Sequence, residues 1–464
     1  MGITDDLAKP IRQLQRSIEL SVVDPRNQAL ISYPLSTLSV IIVLARMSGC
    51  ENMTAAAHFY AENKEKLKKY IYGLGDESPT AQTLRRVQSI LDGKHVLEYF
   101  SEYFVNCCIG IKTVDTEPEL KDRDVISCDG QNIRATRSTS RGDKRKSTGY
   151  DIVQMYSHKY GITLSQKITD KKNHEAQAII EMLPMINAVH CIFTWDAINT
   201  QHKTLKAVTE ARGDFIVCVK SNQGTLYEEI VTAFEYELPD EAVSAARTSS
   251  GHGRIEQKDI AVLPVELALT KEMRRKWPDI ATVICVNTAR YIKSSGKEQT
   301  EKRYFISSIE IDYDDEDYAS QIQDVILLRW QVEVSHWYLD MCFMQDRLPL
   351  RNRDYINNHT YFTKMAFNIL SYVKNHCPED RQGRTPSMAS LQYACRDAET
   401  AIRFCMAYVT QDKRYFLEDE RLYLLKILKR PAIKDDYVEP KPEIPENGMA
   451  RLAMLGRKGI KAHG

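Results

Sequence analysis

The sequence predicts an α/β fold with a mixed β-sheet that follows a small all-α segment, and two changes of pattern support this. Up to about residue 113 the apolar residues recur at helical spacing. From residue 124, three short apolar strands are followed by helices that alternate with buried strands, an order typical of α/β sheets. The stretch from 225 to 317 interrupts this alternation with further β-rich runs, so we expect an inserted β subdomain.

The composition is that of an ordinary globular protein. Of the 464 residues, 63 are basic and 63 are acidic, and 43% are hydrophobic, which excludes a disordered or fibrous chain. The zero net charge gives no overall sign of a nucleic-acid partner, so such a partner would have to bind local basic patches. The aliphatic run 38–45 is too short to span a membrane, and the first residues show no apolar signal segment.

The eleven cysteines contain no CxxC pair, which argues against a metal site with cysteine ligands and against a disulfide framework. We therefore interpret them as reduced and mostly buried thiols, which are typical of the cytosol. The sequence thus predicts a cytoplasmic protein without a membrane partner.

The helical segment shows three candidate helices. One begins after Pro34 and carries apolar residues at helical spacing to Ala45. A second runs from Thr54 to Tyr70, and a third begins at Ser78-Pro79-Thr80, where a polar N-cap precedes proline.

The α/β segment begins with a strand, 124–130, that ends in an Asp-Gly turn. The predicted elements that follow are strands 150–156 and 162–168, helix 174–186, strand 188–195, helix 200–212 and strand 215–219. In the insertion, 280–286 and 303–309 are β-rich, and long helices are predicted at 318–343 and 356–376. The proline-containing tail after residue 430 shows no periodicity and predicts a flexible extension.

Three acidic residues lie where a sheet-based metal site would need them. Asp129 ends the first strand, Asp196 follows the strand 189–195, and Glu333 lies midway along the helix 318–343. Carboxylates at these places can converge on two divalent cations such as Mg²⁺ or Mn²⁺, which serve phosphoryl transfer. Each aspartate alone has another interpretation, because Asp-Gly is a common turn and an Asp after a strand often caps a helix. The spacing does not decide between these interpretations.

Seven ordered motifs surround these acids and carry a resemblance to a known family. They are Ile126-Ser-Cys-Asp-Gly-Gln131, Asp170-Lys-Lys-Asn-His-Glu175, Thr194-Trp-Asp-Ala-Ile-Asn-Thr-Gln201, Val219-Lys-Ser-Asn-Gln-Gly224, Gly251-His-Gly-Arg-Ile-Glu256, Arg303-Tyr-Phe-Ile-Ser-Ser308 and Glu333-Val-Ser-His-Trp-Tyr-Leu-Asp340. Together they resemble the ISAs1-type insertion-sequence transposases, also called H-repeat-associated proteins, within the IS4-like DDE group. Asp24-Pro-Arg26, Tyr33-Pro-Leu35 and Ser78-Pro-Thr80 resemble the helical domain of that family, so the resemblance spans residues 20 to 376.

The resemblance implies a fold, a function and partners. The fold is an RNase H-like (retroviral-integrase-like) core with a β insertion before the helix that bears the last glutamate. Asp129, Asp196 and Glu333 would be the catalytic, metal-binding triad for two Mg²⁺ ions, for which Mn²⁺ can substitute. The implied activity is DNA strand cleavage and strand transfer, and the implied partners are double-stranded DNA, as terminal inverted repeats and target, and a second copy in a homodimer.

We therefore expect six segments. They are a helical N-terminal domain associated with DNA binding (1–113), the first part of the catalytic domain (124–224), the inserted β subdomain (225–317), the catalytic and closing helices (318–376), C-terminal helices (377–430) and a flexible tail (431–464).

Thirteen residues are candidates for contacts with DNA. Six lie in a loop of net charge +5 that follows Asp129: Arg134, Arg137, Arg141, Lys144, Arg145 and Lys146. The others are Lys220, Asn222 and Gln223 after a buried strand, His252 and Arg254 between glycines of the insertion, and Arg329 and His336 on the helix of Glu333. Each has an alternative structural role, as a solvated loop, a polar turn, an i,i+4 ion pair or a packed histidine.

The chain departs from the family pattern at four places, which concern how the substrate is positioned. Gln131 stands where Lys is usual, Gln345 where Glu is usual, and Ile326 and Asp340 where Tyr and Lys flank the glutamate. Two alternative functions therefore stay open. One is a domesticated or decayed relative that only binds DNA, and the other is an RNase H-like nuclease that cleaves without joining strands.

Overall fold

The computed structural model describes residues 3–107, 118–138, 148–169, 174–236, 238–251, 253–329, 331–347, 352–380 and 383–417. The strands are β1 (Val125–Ser138), β2 (Thr148–Ser157), β3 (Ile162–Thr169), β4 (Ile192–Thr194), β5 (Asp214–Val219), β6 (Val243–Gly251), β7 (Arg254–Pro264), β8 (Thr282–Ile292) and β9 (Lys297–Ser307).

The helices pack against this sheet and against one another. They are α1 (Ile3–Ser21), α2 (Leu35–Met47), α3 (Met53–Tyr70), α4 (Ala81–Ile90), α5 (Gly93–Glu98), α6 (Glu175–Met182), α7 (His202–Glu210), α8 (Thr225–Ala233), α9 (Val265–Ala268), α10 (Lys271–Lys276), α11 (Tyr318–Leu328), α12 (Gln331–Met341), α13 (Arg353–His376), α14 (Met388–Ala394) and α15 (Ala398–Thr410). A π-helical segment, Tyr99–Cys107, follows α5.

The described strands form one mixed sheet in the order β3-β2-β1-β4-β5-β9-β8-β7-β6. β1, β4 and β5 are parallel to one another. β2 is antiparallel to β1, and β3 is antiparallel to β2. This confirms the predicted α/β fold with a mixed sheet and an N-terminal helical region. The β-rich stretch predicted as an insertion does not fold as a sheet of its own, because β9 pairs with β5 from Ile216–Ser307 to Val219–Tyr304.

Strand β5 shows how the sheet is covered on both faces. Phe215 and Val217 enter one hydrophobic core, and the alternating residues Ile216 and Cys218 enter the other. The second core is closed by α11 through residues such as Ile322. Continuous apolar strands are typical of a sheet covered on both faces.

The N-terminal helices do not pack alone. α2 contacts α13, α1 contacts α15, and α13 also contacts β3, so helices from both ends of the chain share one core with the sheet. Arg46 on α2 is fully buried, and its Nη2 lies 2.7 Å from Nδ1 of His359 on α13. α13 therefore connects the N-terminal helices to the sheet.

The predicted Asp-Gly turn at the end of the first strand is wrong. β1 continues through Asp129 and Gly130, which pair with Gln154 and Val153 of β2, and it ends at Ser138. The long ladder with β2 overrides the local preference of Asp-Gly for a turn.

The single long helix predicted over 318–343 is also wrong. The structure has two helices, α11 and α12, with Arg329 after the first of them. α11 contacts β6 and β7, whereas α12 contacts β1, so the two helices cover different strands of the sheet.

Among the boundaries that differ from the predicted ones are those of the third N-terminal helix and of the strand before Asp196. The helix predicted to begin at Ser78-Pro79-Thr80 begins at Ala81, because the Thr80 hydroxyl is the N-cap that accepts a hydrogen bond from the Thr83 N–H at 3.1 Å. The strand predicted over 188–195 is limited to Ile192–Thr194. The tail after residue 430 lies outside the described residues.

Nine cysteines of the described ranges are free thiols, and seven of them are buried. None of the helices in these ranges combines the length and the apolar character needed to cross a bilayer.

Candidate active site

The register of the two parallel strands places Asp129 and Asp196 side by side. Ser127 of β1 pairs with Thr194 of β4, and each aspartate lies two residues beyond this pair on its own chain segment. Asp129 is still within β1, whereas Asp196 follows the end of β4 and begins the turn Ala197–Asn199. Two aspartates from neighbouring parallel strands thus reach the same edge of the sheet.

Glu333 comes to this edge on α12. It lies in the first turn of the helix, where the dipole of the helix favours a carboxylate. α12 is attached to the sheet by a buried hydrogen bond of 2.9 Å from Gln154 Nε2 on β2 to Ser335 Oγ. Gln154 pairs with Asp129, so the helix of Glu333 is bound to the strand beside Asp129.

The three acids line one cavity of about 760 Å³. Its walls also carry seven basic side chains, which are Lys220, Arg254, Lys258, Arg290, Lys302, Arg303 and Arg329. Within the described ranges, no group of three or more His, Cys, Asp or Glu side chains lies in a position to hold a metal ion together. The acids share a cavity in this conformation, but they do not form a coordination shell.

The two aspartates have opposite electrostatic environments. Burial raises the pKa of Asp129 to about 6; the Gly130 N–H and Arg329 oppose this shift, and the charges of Glu175 and Glu333 add to it. Burial also acts to raise the pKa of Asp196, but hydrogen bonds from Lys220 and from the Ala197 N–H outweigh it and hold that pKa below its usual value. Negative charge is therefore poorly compensated at Asp129 and well compensated at Asp196.

Lys220 and Arg329 lie near the two aspartates, and their predicted contacts with DNA stay predictions. Lys220 Nζ donates to Asp196 Oδ1 at 3.0 Å, and its side chain is 59% exposed. The charge of Arg329 lowers the pKa of both aspartates, so its guanidinium lies near both. Both basic groups thus lie beside the carboxylates.

His336 also lies beside Asp129, with 3.6 Å between its Nδ1 and Asp129 Oδ2. Burial, together with the charge of Lys364, lowers the pKa of His336 to about 3, so the imidazole is neutral near pH 7. The neutral ring therefore forms no ion pair with Asp129, and its predicted contact with DNA stays a prediction.

Asn222 and Gln223 hold the turn that follows Asp196. Gln223 Nε2 donates to the Ala197 carbonyl at 2.6 Å, and Asn222 Nδ2 donates to the same oxygen at 3.2 Å. Their predicted contact with DNA stays a prediction, but the structure gives both residues a role in the turn.

The remaining predicted DNA contacts divide into three groups. Arg254 begins β7, and its Nε lies 3.4 Å from Glu256 Oε1 on the cavity wall. Arg134 and Arg137 belong to β1, and the contacts predicted for their side chains stay predictions. Arg141, Lys144, Arg145, Lys146 and His252 lie outside the described residues.

Two sets of residues at the site were not predicted. Lys258, Arg290 and Arg303 share one face of the sheet with Arg254, and the alternation of charged residues at 254, 256 and 258 was the available signal. Glu175, the last residue of one of the seven motifs, is close enough to Asp129 to raise its pKa. Its position at the start of a predicted helix gave no sign of this proximity.

Residues 120–369 match the family model described as Transposase DDE domain, and residues 20–104 match the one described as DDE_Tnp_1-associated. "Putative transposase YncI" of Escherichia coli O157:H7 is 28% identical over 371 residues, which are 77% of this chain and 87% of that protein. "H repeat-associated putative transposase YhhI" of Escherichia coli K12 is 26% identical over 376 residues, which are 78% of this chain and 92% of that protein. These matches confirm the predicted resemblance to H-repeat-associated transposases.

A solved structure, the piggyBac transposase synaptic complex with hairpin DNA, aligns with a TM-score of 0.38 and 11% identity. The alignment covers 96% of this chain and 86% of the other.

Proposed function

This chain belongs to the family of proteins with a transposase DDE domain, and we propose that it cleaves DNA at the ends of an insertion element and joins them to target DNA. The observation that carries the proposal is that Asp129, Asp196 and Glu333, distant in sequence, line one cavity with seven basic side chains. Acids that bind cations and bases that bind phosphates are the two requirements of phosphoryl transfer.

The donor set fits a hard divalent cation. The three candidate ligands are all carboxylates, and oxygen ligands of this kind suit Mg²⁺, with Mn²⁺ as a substitute. Burial, together with the charges of Glu175 and Glu333, raises the pKa of Asp129, and a cation bound beside this carboxylate would favour its ionised form. In the proposed site Asp129, Asp196 and Glu333 would hold the divalent cations. The chemistry that such cations supply is activation of the attacking hydroxyl and stabilisation of the leaving oxygen.

The chain's own bases would then act on the DNA backbone. Lys220, whose side chain is 59% exposed beside Asp196, would donate to a phosphate oxygen and neutralise its charge. Arg329, which lies near both aspartates, stabilises the charge that develops on the reacting phosphate. No covalent bond between protein and DNA is needed for either step.

The basic face of β7, β8 and β9 supports a DNA partner. Arg254 and Lys258 of β7, Arg290 of β8 and Arg303 of β9 lie on the same side of the ladder and line the cavity of the acids. Glu256 and Glu301 lie on the same face and pair with these bases, so the face carries a smaller net positive charge than its number of bases. A duplex bound across this face would bring its backbone to the carboxylates.

The sheet order supports an RNase H-like core. The strands run β3-β2-β1-β4-β5, with β2 antiparallel and β1, β4 and β5 parallel, and the first aspartate is on the central strand. In this proposal β6 to β9 are the insertion and α12 is the catalytic helix. A homodimer is proposed because two element ends must be handled together.

The test uses the purified full-length chain, Mg²⁺, a labelled duplex with the sequence that flanks its coding region, and a supercoiled target plasmid. We expect cleaved and joined products from the unaltered chain, and neither product from Asp129→Asn, Asp196→Asn or Glu333→Gln, which keep the side-chain shape but remove the charge. End binding should persist in all three. Asp314→Asn, at an exposed loop position away from the cavity, is the matched control.

Unchanged cleavage by Asp129→Asn and Glu333→Gln would refute the assigned site. Nicks without joined product would favour the nuclease alternative. Binding without cleavage by the unaltered chain would favour the DNA-binding relative.

A further inference from the structure

Glu175 spans the two chain segments that carry the aspartates. It is the first residue of α6, and its carboxylate lies directly over Gly130. A Cβ added at Gly130 would lie only 2.9 Å from Glu175 Cδ and closer still to Oε1, nearer than real Cβ contacts allow. The absence of a side chain at 130 therefore lets this carboxylate approach the strand next to Asp129.

The other carboxylate oxygen reaches the second aspartate segment. Glu175 Oε2 accepts a hydrogen bond of 2.7 Å from Asn199 Nδ2. Asn199 is 3% exposed, and its backbone N–H donates to the Asp196 carbonyl at 2.9 Å. One side chain thus contacts the residue after Asp129 with one oxygen and, through Asn199, the turn of Asp196 with the other.

We propose that Glu175 is a positioning residue, whose carboxylate fixes the Asp129 segment of β1 relative to the Asp196 turn so that both aspartates can bind the same cations. This inference rests on the proposed function, because it assigns Glu175 a task in that cation site. Partners that orient metal ligands are needed nearly as much as the ligands, and their removal typically weakens metal binding or activity about tenfold to a hundredfold.

The length and the charge of the side chain at position 175 should affect this positioning role differently. Gln at 175 keeps the length and an oxygen for Asn199, so it should hold both segments. Asp keeps the charge but is one methylene shorter, so it cannot reach Gly130 and Asn199 together. A direct cation ligand would show the reverse order, with Asp tolerated better than Gln.

The experiment measures the Mg²⁺ concentration dependence in full-length Glu175→Gln, Glu175→Asp and Glu175→Ala. One readout is the Mg²⁺-induced shift in Tm without DNA, and the other is the Mg²⁺ midpoint of end cleavage. We expect Glu175→Gln to stay near the unaltered chain and the other two to need about tenfold more Mg²⁺ or higher. A purely structural role would lower Tm in the absence of Mg²⁺ but leave both midpoints unchanged.

Asn199 supplies the matched variant, because it makes the other half of the connection. Asn199→Ala should raise the Mg²⁺ midpoint, and combining it with Glu175→Ala should add little, since both remove one connection. Unchanged midpoints in Glu175→Asp and Glu175→Ala, or a larger effect in Glu175→Gln than in Glu175→Asp, would overturn the positioning role. Absence of cleavage by the unaltered chain would instead refute the proposed function, and the Tm shifts would still test Glu175.

Discussion

Gln131 on β1 donates a hydrogen bond to Asp340 on α12 at 2.6 Å, and its Oε1 accepts one from Gln345 Nε2 at 3.0 Å. All three residues stand where the resembling family usually has other residues, namely Lys at 131, Lys at 340 and Glu at 345. These three residues therefore contact one another beside α12, and the hydrogen bond from Gln131 to Asp340 attaches α12 to β1. Lys at 131 and Glu at 345 would put an ion pair in place of this Gln–Gln contact.

The first prediction concerns this pair. Gln345→Glu alone adds a carboxylate near Asp340 at a residue that is 1% exposed, and Gln131→Lys alone removes the acceptor of Gln345 Nε2. Gln345→Glu should lower the free energy of unfolding by about 1–3 kcal/mol, the usual cost of an unsatisfied buried group. Gln131→Lys should lower it by less, because the ammonium keeps a donor for Asp340. The double change restores an ion pair and should recover about 1 kcal/mol or more of the summed decrease, measured by urea unfolding.

Gln299→Glu supplies the control, because Gln299 is exposed on β9. Combined with Gln131→Lys, it should give additive changes. Additivity in the Gln131→Lys, Gln345→Glu pair as well would show that the contact has no energetic consequence.

Local pattern predicted the elements whose residues contact near neighbours. The strands β2 and β3 and the helix α2 were found because apolar period and flanking residues such as Pro34 and Gly161 are local signals. Local pattern did not predict where Asp129 lies within its strand. Asp129 lies inside β1 and not at its end, because pairing with β2 carries the strand through the Asp-Gly dipeptide.

Long-range contacts account for what the sequence did not predict. The pairing of β5 with β9 joins residues such as Val217 and Ile306, and no local signal distinguishes it from a separate insertion. The approach of Glu175 to Gly130 and Asn199 depends on how α6 crosses the sheet. The triad was predicted from the family motifs, because the spacing of its three acids alone left other interpretations open.

The second prediction concerns the basic face of β7, β8 and β9. Arg254→Gln and Arg303→Gln each remove a positive charge from the cavity wall. The Arg254 side chain is 48% exposed and the Arg303 side chain is 37% exposed. Each should weaken binding of duplex DNA, and the slope of log K against log salt should fall by about 0.9 for each phosphate that the variant no longer neutralises. Fluorescence anisotropy over a salt series measures both effects.

Arg275→Gln is the control for this face, because Arg275 is exposed on α10 and does not line the cavity. It should leave the salt slope unchanged. Equal slopes for all three variants and the unaltered chain would mean that DNA does not bind across β7 to β9.

The third prediction follows from the pKa of Asp129, which burial raises from the usual 3.8 to about 6. The folded chain therefore holds this proton more tightly than the unfolded chain does. Between pH 3.8 and 6 the unfolded state ionises first, so this group makes stability fall as the pH rises, and the penalty is complete above pH 6. A shift of two units is worth about 3 kcal/mol, but exposure of 36% of the side chain reduces it to about 1 kcal/mol.

Asp129→Asn removes this penalty. In chelator, it should be more stable than the unaltered chain by about 1 kcal/mol at about pH 8 and equal to it near pH 4, as measured by thermal unfolding at each pH. Added Mg²⁺ should reverse the order at the higher pH, because a cation that binds the folded chain stabilises it and the variant lacks a ligand. Asp314→Asn should follow the unaltered chain throughout. If Asp129→Asn is less stable than the unaltered chain at the higher pH in chelator, ionised Asp129 does not destabilise the fold. If the variant gains as much stability from Mg²⁺ as the unaltered chain does, Asp129 does not bind the cation.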